Sequence, residues 1–143
     1  MNAETLEALQ ASIAKYRNLA SLDYDSLRAR VLTGHVSFGA ASCPLCNLFL
    51  YGSPTCGGCP IVERVYGLTH CEGTPWRLPR ASSDMRVQLP ELLERTRATL
   101  GHNAAGADAL LEQLSRRCRE ECEFLESLLP DATSPGQSPL ADP

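Results

Sequence analysis

Two amphipathic stripes at helical spacing, one near each end of the chain, and two C-x-x-C pairs between them predict a mainly α fold. In this reading an N-terminal and a C-terminal helix pack together around a small zinc-knuckle or ribbon-like centre. Residues 3–20 carry the first stripe, with Leu6, Leu9, Ile13 and Tyr16 at i, i+3, i+7 and i+10. Asn2 is placed to cap it, and Glu4 and Glu7 suit the positive helix end. Residues 21–32 read as a second short helix, capped by Ser21 or Asp23 and carrying Leu22, Leu27, Val31 and Leu32. The small residues from Gly34 to Ser42 then lead the chain to its centre.

That centre is Cys43-Pro44-Leu45-Cys46, nine residues, then Cys56-Gly57-Gly58-Cys59-Pro60. Two C-x-x-C pairs separated by a loop too short to hold a domain have the ligand spacing of a tetrahedral Zn2+ site, because each turn brings two sulfurs toward one point. Cys43, Cys46, Cys56 and Cys59 are the expected ligands. Gly57 and Gly58 permit the tight second turn, and Pro60 suits the first turn of a helix whose amides would stabilise a Cys59 thiolate. Disulfides, a thiol-redox pair and an iron–sulfur cluster are the weaker alternatives. Seven cysteines is an odd number, the start MNAETLEALQ has no secretory apolar run, and no βαβ pattern or ferredoxin spacing surrounds the pairs.

Cys71 is a fifth central thiol: it either substitutes for one of the four as a ligand or lies beside the site. His35 and His70 have no partner at ligand spacing and read as ordinary polar residues. The run Leu48 to Tyr51 suits either a small hairpin, as in ribbons, or a helical turn. Pro60 to Tyr66 reads as a short helix stopped by Gly67, placing Ile61, Val62 and Val65 against the thiol loops. Residues 73–83 read as an extended connector carrying Trp76, the only tryptophan, beside Arg77 and Arg80. Trp76 is read as a cover for the metal core in preference to an exposed stacking platform.

The run Cys43-Pro44-Leu45-Cys46-Asn47-Leu48-Phe49, Cys56-x-Gly58-Cys59-Pro60, then Cys71-x-Gly73-Thr74-Pro75-Trp76 resembles a group of small five-cysteine proteins common in bacteriophage and prophage genomes. The resemblance spans residues 4–129, with its specific part at 43–76, where the group commonly has Tyr at the position of Trp76. It implies an N-terminal and a C-terminal helix around a zinc centre, and an accessory protein acting on host machinery. The resemblance brings no activity that can be transferred to this chain.

Pro90 opens a further helix expected to end before Gly101. Asn103 or Asp108 then caps a long helix to about Leu129, with the seam Leu111, Leu114, Cys118, Cys122, Leu125 and Leu129. Cys118 and Cys122 read as small buried apolar residues. Arg116, Arg117, Arg119, Glu120, Glu121, Glu123 and Glu126 read as its solvated face. Residues 1–129 form one expected zinc-centred domain, and the Pro-rich residues 130–143 a disordered tail.

Composition narrows the function. A formal net charge of -4 weighs against a dedicated nucleic-acid binder, and no apolar stretch reaches membrane-spanning length. A zinc-held interaction protein with a protein partner, cytoplasmic and without membrane contact, therefore ranks first. The helical seam also admits a homodimer. A nucleic-acid-binding zinc module ranks second, on Trp76 and Arg77, Arg80, Arg86, Arg95 and Arg97, among which Asp84, Glu91 and Glu94 are interleaved. An enzyme ranks last, since a closed four-thiolate site leaves no open position and no hydrolytic triad or phosphate loop is present.

Overall fold

The computed structural model describes residues 1–50, 56–64, 74–76, 88–102 and 104–131. They are mainly helical, and among them there is no strand and no helix long and apolar enough to cross a membrane. Helices α1 (Ala3–Ser21), α2 (Tyr24–Leu32), α3 (Pro44–Phe49), α4 (Pro60–Arg64), α5 (Leu89–His102) and α6 (Asp108–Glu126) follow in chain order. Single 3-10 turns, Ala40–Ser42 and Ala104–Ala107, introduce α3 and α6.

Local signals set the first two helices. Asn2 caps α1, its side chain accepting from the Thr5 amide at 2.8 Å, and Asp23 caps α2 through the Ser26 amide at 2.7 Å. Each cap satisfies an amide that the helix cannot. The α1 stripe packs inward through Leu9, Ile13, Tyr16 and Leu19, with Leu6 half-buried. It meets Leu111, Leu114, Cys118, Cys122 and Leu125 of α6, the seam expected from their spacing.

The two long helices run antiparallel. The Cys122 thiol reaches the Ile13 carbonyl at 3.8 Å, while Tyr24, just beyond the end of α1, donates to Asp108 at the start of α6. Arg17 and Glu126 meet at 2.5 Å because helical side chains lean toward their own N-termini, here from opposite directions. Helices α2 and α5 cover the remaining flank of α6, joined where Arg97 Nε donates to the Val31 carbonyl at 3.3 Å.

One open alternative is decided and three expectations need correction. Leu48 and Phe49 belong to α3, so the helical option holds at the first thiol turn and no ribbon hairpin is present among the described residues. Gly101 does not stop α5, which runs through it to His102. The N-cap position of α6 is Ala107, with no side-chain cap, while Asp108 is helical and accepts from Tyr24; Asn103 lies outside the described residues. Finally, Arg117 and Glu121, assigned to a solvated face, are only 3% and 2% exposed. Val65, His70, Cys71, Arg77, Arg80, Arg86 and the tail from 132 onward also lie outside the described residues.

Candidate metal centre

Lys15, the only lysine, fixes the approach to the first C-x-x-C turn. Its ammonium donates to the Ser42 carbonyl at 3.2 Å and hydroxyl at 3.0 Å. It also lies 5.6 and 5.7 Å from the ring centres of Tyr16 and Phe38, which stack at 5.9 Å. Burial lowers the lysine's pKa, opposed by the negative potential of Cys43, Cys118 and Cys46.

Both turns use the same local device. Cys43 is the N-cap of α3 and is followed by Pro44; its sulfur accepts from the Cys46 amide at 3.4 Å. Cys59 stands in the same relation to α4, followed by Pro60, with the Ile61 and Val62 amides aimed at its sulfur and its carbonyl accepting from the Glu63 amide at 3.0 Å. Proline suits this position because the first helical amide has no intrahelical acceptor. The second turn closes through the Cys59 amide on the Cys56 carbonyl at 3.0 Å, with Cys56 at φ 54° and Gly58 at φ 89°. The expected left-handed backbone thus falls on Gly58 and on Cys56.

All four expected ligands border one cavity of about 270 Å³. Its walls are apolar, from Tyr16, Phe38, Leu45, Phe49, Ile61, Trp76 and Leu125, with Glu121 the one acidic group. The cavity lies along the flank of the α1/α6 pair, against Ser12 and Tyr16 on one side and Glu121 and Leu125 on the other. Among the described residues no three His, Cys, Asp or Glu side chains stand close enough together to hold an ion. Cys43, Cys46, Cys56 and Cys59 therefore surround a shared space without meeting at coordination distance.

The donor chemistry suits a soft divalent cation. Cys43 is lowered to about 6, first by the hydrogen bond from the Cys46 thiol, then by the Cys46 and Leu45 amides and Lys15. Cys56 and Cys59 are pushed up, chiefly by burial, with the neighbouring thiols adding negative potential. A cation would reverse that penalty, since coordination removes the proton outright. Cys118, buried in the helical seam, is pushed up to about 12 and is inert by comparison.

The group that residue spacing did not single out is the pair Arg117 and Glu121. Arg117 donates through Nε at 2.9 Å and through Nη2 to the Pro75 carbonyl, while Glu121 Oε2 accepts from the Trp76 amide at 2.9 Å. The available signal was a second stripe beside the first, Leu110, Leu114, Arg117, Glu121, Phe124 and Leu128, at steps of 4, 3, 4, 3 and 4. Trp76 is half-buried and borders the cavity. Comparison of the chain with family models, curated proteins and solved structures found no match.

Proposed function

We propose that this chain is a small helical interaction protein whose centre is held by Zn2+ bound to Cys43, Cys46, Cys56 and Cys59. Cys71, outside the described residues, is the substitute ligand. The observation that carries the proposal is the convergence of both C-x-x-C turns on one cavity, each presenting an N-cap sulfur to helix amides. Zinc binding requires the two turns to draw together across that cavity. The ion would supply folding free energy that a chain of this size otherwise obtains only from its apolar core. A closed thiolate site has no open position, so its role is structural.

The partner in this proposal is a protein, and the setting is the phage or prophage accessory role that the central motif resembles. The acidic balance and the exposed Tyr24 and Leu32 on α2 support a protein partner. Two observations weigh against the nucleic-acid reading: Trp76 is half-buried against the cavity, and Arg97 is engaged by Glu94 at 2.5 Å and by the Val31 carbonyl.

Metal analysis of the purified chain tests the zinc directly. About one zinc per chain is expected, released by Cys43→Ser or by Cys59→Ser with loss of the thermal transition. A protein that is metal-free with reduced thiols, or that melts unchanged after chelation, sinks the proposal. A pull-down from the native host tests the partner, and light scattering tests the homodimer.

A further inference from the structure

Arg117 and Glu121 stand one turn apart on α6, oppositely charged and both buried, yet they do not bond to each other. Each takes one end of a single peptide group: the guanidinium holds the Pro75 carbonyl, and the carboxyl oxygen holds the amide hydrogen of Trp76. The peptide dipole is thereby aligned, its negative end on the cation and its positive end on the acid. The Trp76 carbonyl is held in turn by the Leu89 amide at 3.1 Å, which ties the same segment to the start of α5.

We infer that Arg117 and Glu121 are positioning residues for the thiol centre: they clamp the Pro75–Trp76 peptide so that the Trp76 indole covers the cavity between the two C-x-x-C turns. Exchange of anything the thiols bind then requires this clamp to open. The inference rests on the proposed zinc site for the identity of the ion, but not for the cover itself. Two buried charges are costly, and a well-packed apolar pair of similar volume is often no less stable. What an apolar pair cannot do is specify one orientation of a peptide plane, whereas a charge-assisted hydrogen bond from Arg117 and a carboxyl acceptor on Glu121 together can. The remaining contacts of Arg117 fit this division of labour: Glu120 approaches only to 3.9 Å and Nη1 has no partner among the described residues, so the guanidinium is aimed at the peptide.

The test uses the full chain, metal-free and reduced, with dithiobis(nitrobenzoate) as the thiol probe. Each accessible thiolate attacks the probe's disulfide, forms a mixed disulfide and releases one thionitrobenzoate anion. Glu121→Leu should speed the reaction of the central thiols by about tenfold or more, the scale of one lost buried hydrogen bond to a charged group, and should red-shift the Trp76 emission. Glu121→Gln, which still accepts from the amide, should restore both readouts. If Glu121→Leu fails to fold, Trp76→Ala serves instead, removing the cover while leaving α6 untouched, and should give the same acceleration. Unchanged thiol rates in a folded Glu121→Leu or Trp76→Ala protein overturn the clamp. On zinc-loaded protein, transfer to a chelator should accelerate in parallel. A wild type that takes up no zinc defeats the metal proposal alone, while zinc uptake with unchanged rates in the variants defeats the clamp alone.

Discussion

The two C-x-x-C turns share a motif and a backbone device but not an environment. Cys43 and Cys46 are only partly buried, whereas Cys56 and Cys59 are 5% and 6% exposed. In both turns amides point at an N-cap sulfur, yet the Cys43 thiol is lowered to about 6 while burial pushes Cys59 up. The difference shows that helix amides alone do not settle the protonation of a cysteine. At the first turn a second thiol donates to the sulfur and Lys15 stands nearby; at the second, desolvation outweighs two aimed amides. If the proposed zinc binds, Cys43 meets it largely as thiolate, whereas Cys59 would give up its proton only on coordination.

The largest expected effect is on thiol reactivity. In metal-free, reduced protein near neutral pH, iodoacetamide should alkylate Cys43 faster than Cys59 by about tenfold. The thiolate fraction dominates over the lower intrinsic nucleophilicity that accompanies a lower pKa. Peptide mapping by mass spectrometry after brief labelling reads the ratio directly. Equal rates would mean that the environments of the two turns are the same in solution. Zinc loading should protect both.

Glu121 sharpens the contrast through stability. Burial raises its carboxyl to about 7, with the Cys43 thiolate adding to the rise and the Trp76 amide and Arg117 opposing it. A carboxyl raised above its unfolded value of 4.5 holds its proton more tightly when folded. Its contribution is therefore complete below pH 4.5 and is lost as pH climbs through about 7. The loss for metal-free protein should be on the order of 2 kcal/mol across that window. Urea midpoints measured between these limits should fall, and Glu121→Gln should flatten the trend. Zinc-loaded protein should move the opposite way, because acid returns protons to the ligand thiols.

How much of this was legible in the chain differs by the range of the forces involved. The Asn2 and Asp23 caps, the α1 stripe and the α6 seam depend on neighbours within one helical turn, and local spacing identified them. The thiol spacing marked both turns, and their four cysteines border one cavity. The burial of Arg117 and Glu121 had a local signal in the second stripe of α6, but their partner, a peptide more than forty residues away, did not. Charge made them look solvated, although Leu110, Leu114, Phe124 and Leu128 on the same stripe all pack on the core. Gly101 misled for another reason. It has a stop signal's identity, but α5 continues because Leu100 is anchored beneath it, only 8% exposed.

Glycine substitutions separate the backbone of the second turn from ordinary helix. At Gly58 the backbone is left-handed, φ 89°, and an added Cβ would stand 3.4 Å from Phe49 Cε1. Gly58→Ala should therefore cost about 1 to 2 kcal/mol, mostly from the backbone rather than the contact, which is an ordinary van der Waals approach. If the turns draw together around zinc, the loss should persist in loaded protein, because the tight second turn is needed in both states. Equal thermal midpoints for wild type and variant would show that this turn relaxes to a conformation alanine accepts.

Gly101 is the matched control and the smallest effect. It lies inside α5 without positive φ, and a Cβ there meets nothing within 4 Å. Gly101→Ala should stabilise the protein by about 0.5 to 1 kcal/mol, since alanine restricts the unfolded chain and has the higher helix propensity. The sign is the informative part. Were Gly101→Ala destabilising, the continuation of α5 through this residue would be wrong and Gly101 would serve as a helix stop. A loss at Gly58 paired with a gain at Gly101, measured in the same denaturant series, attributes the cost at the thiol turn to its left-handed backbone and not to the methyl group itself.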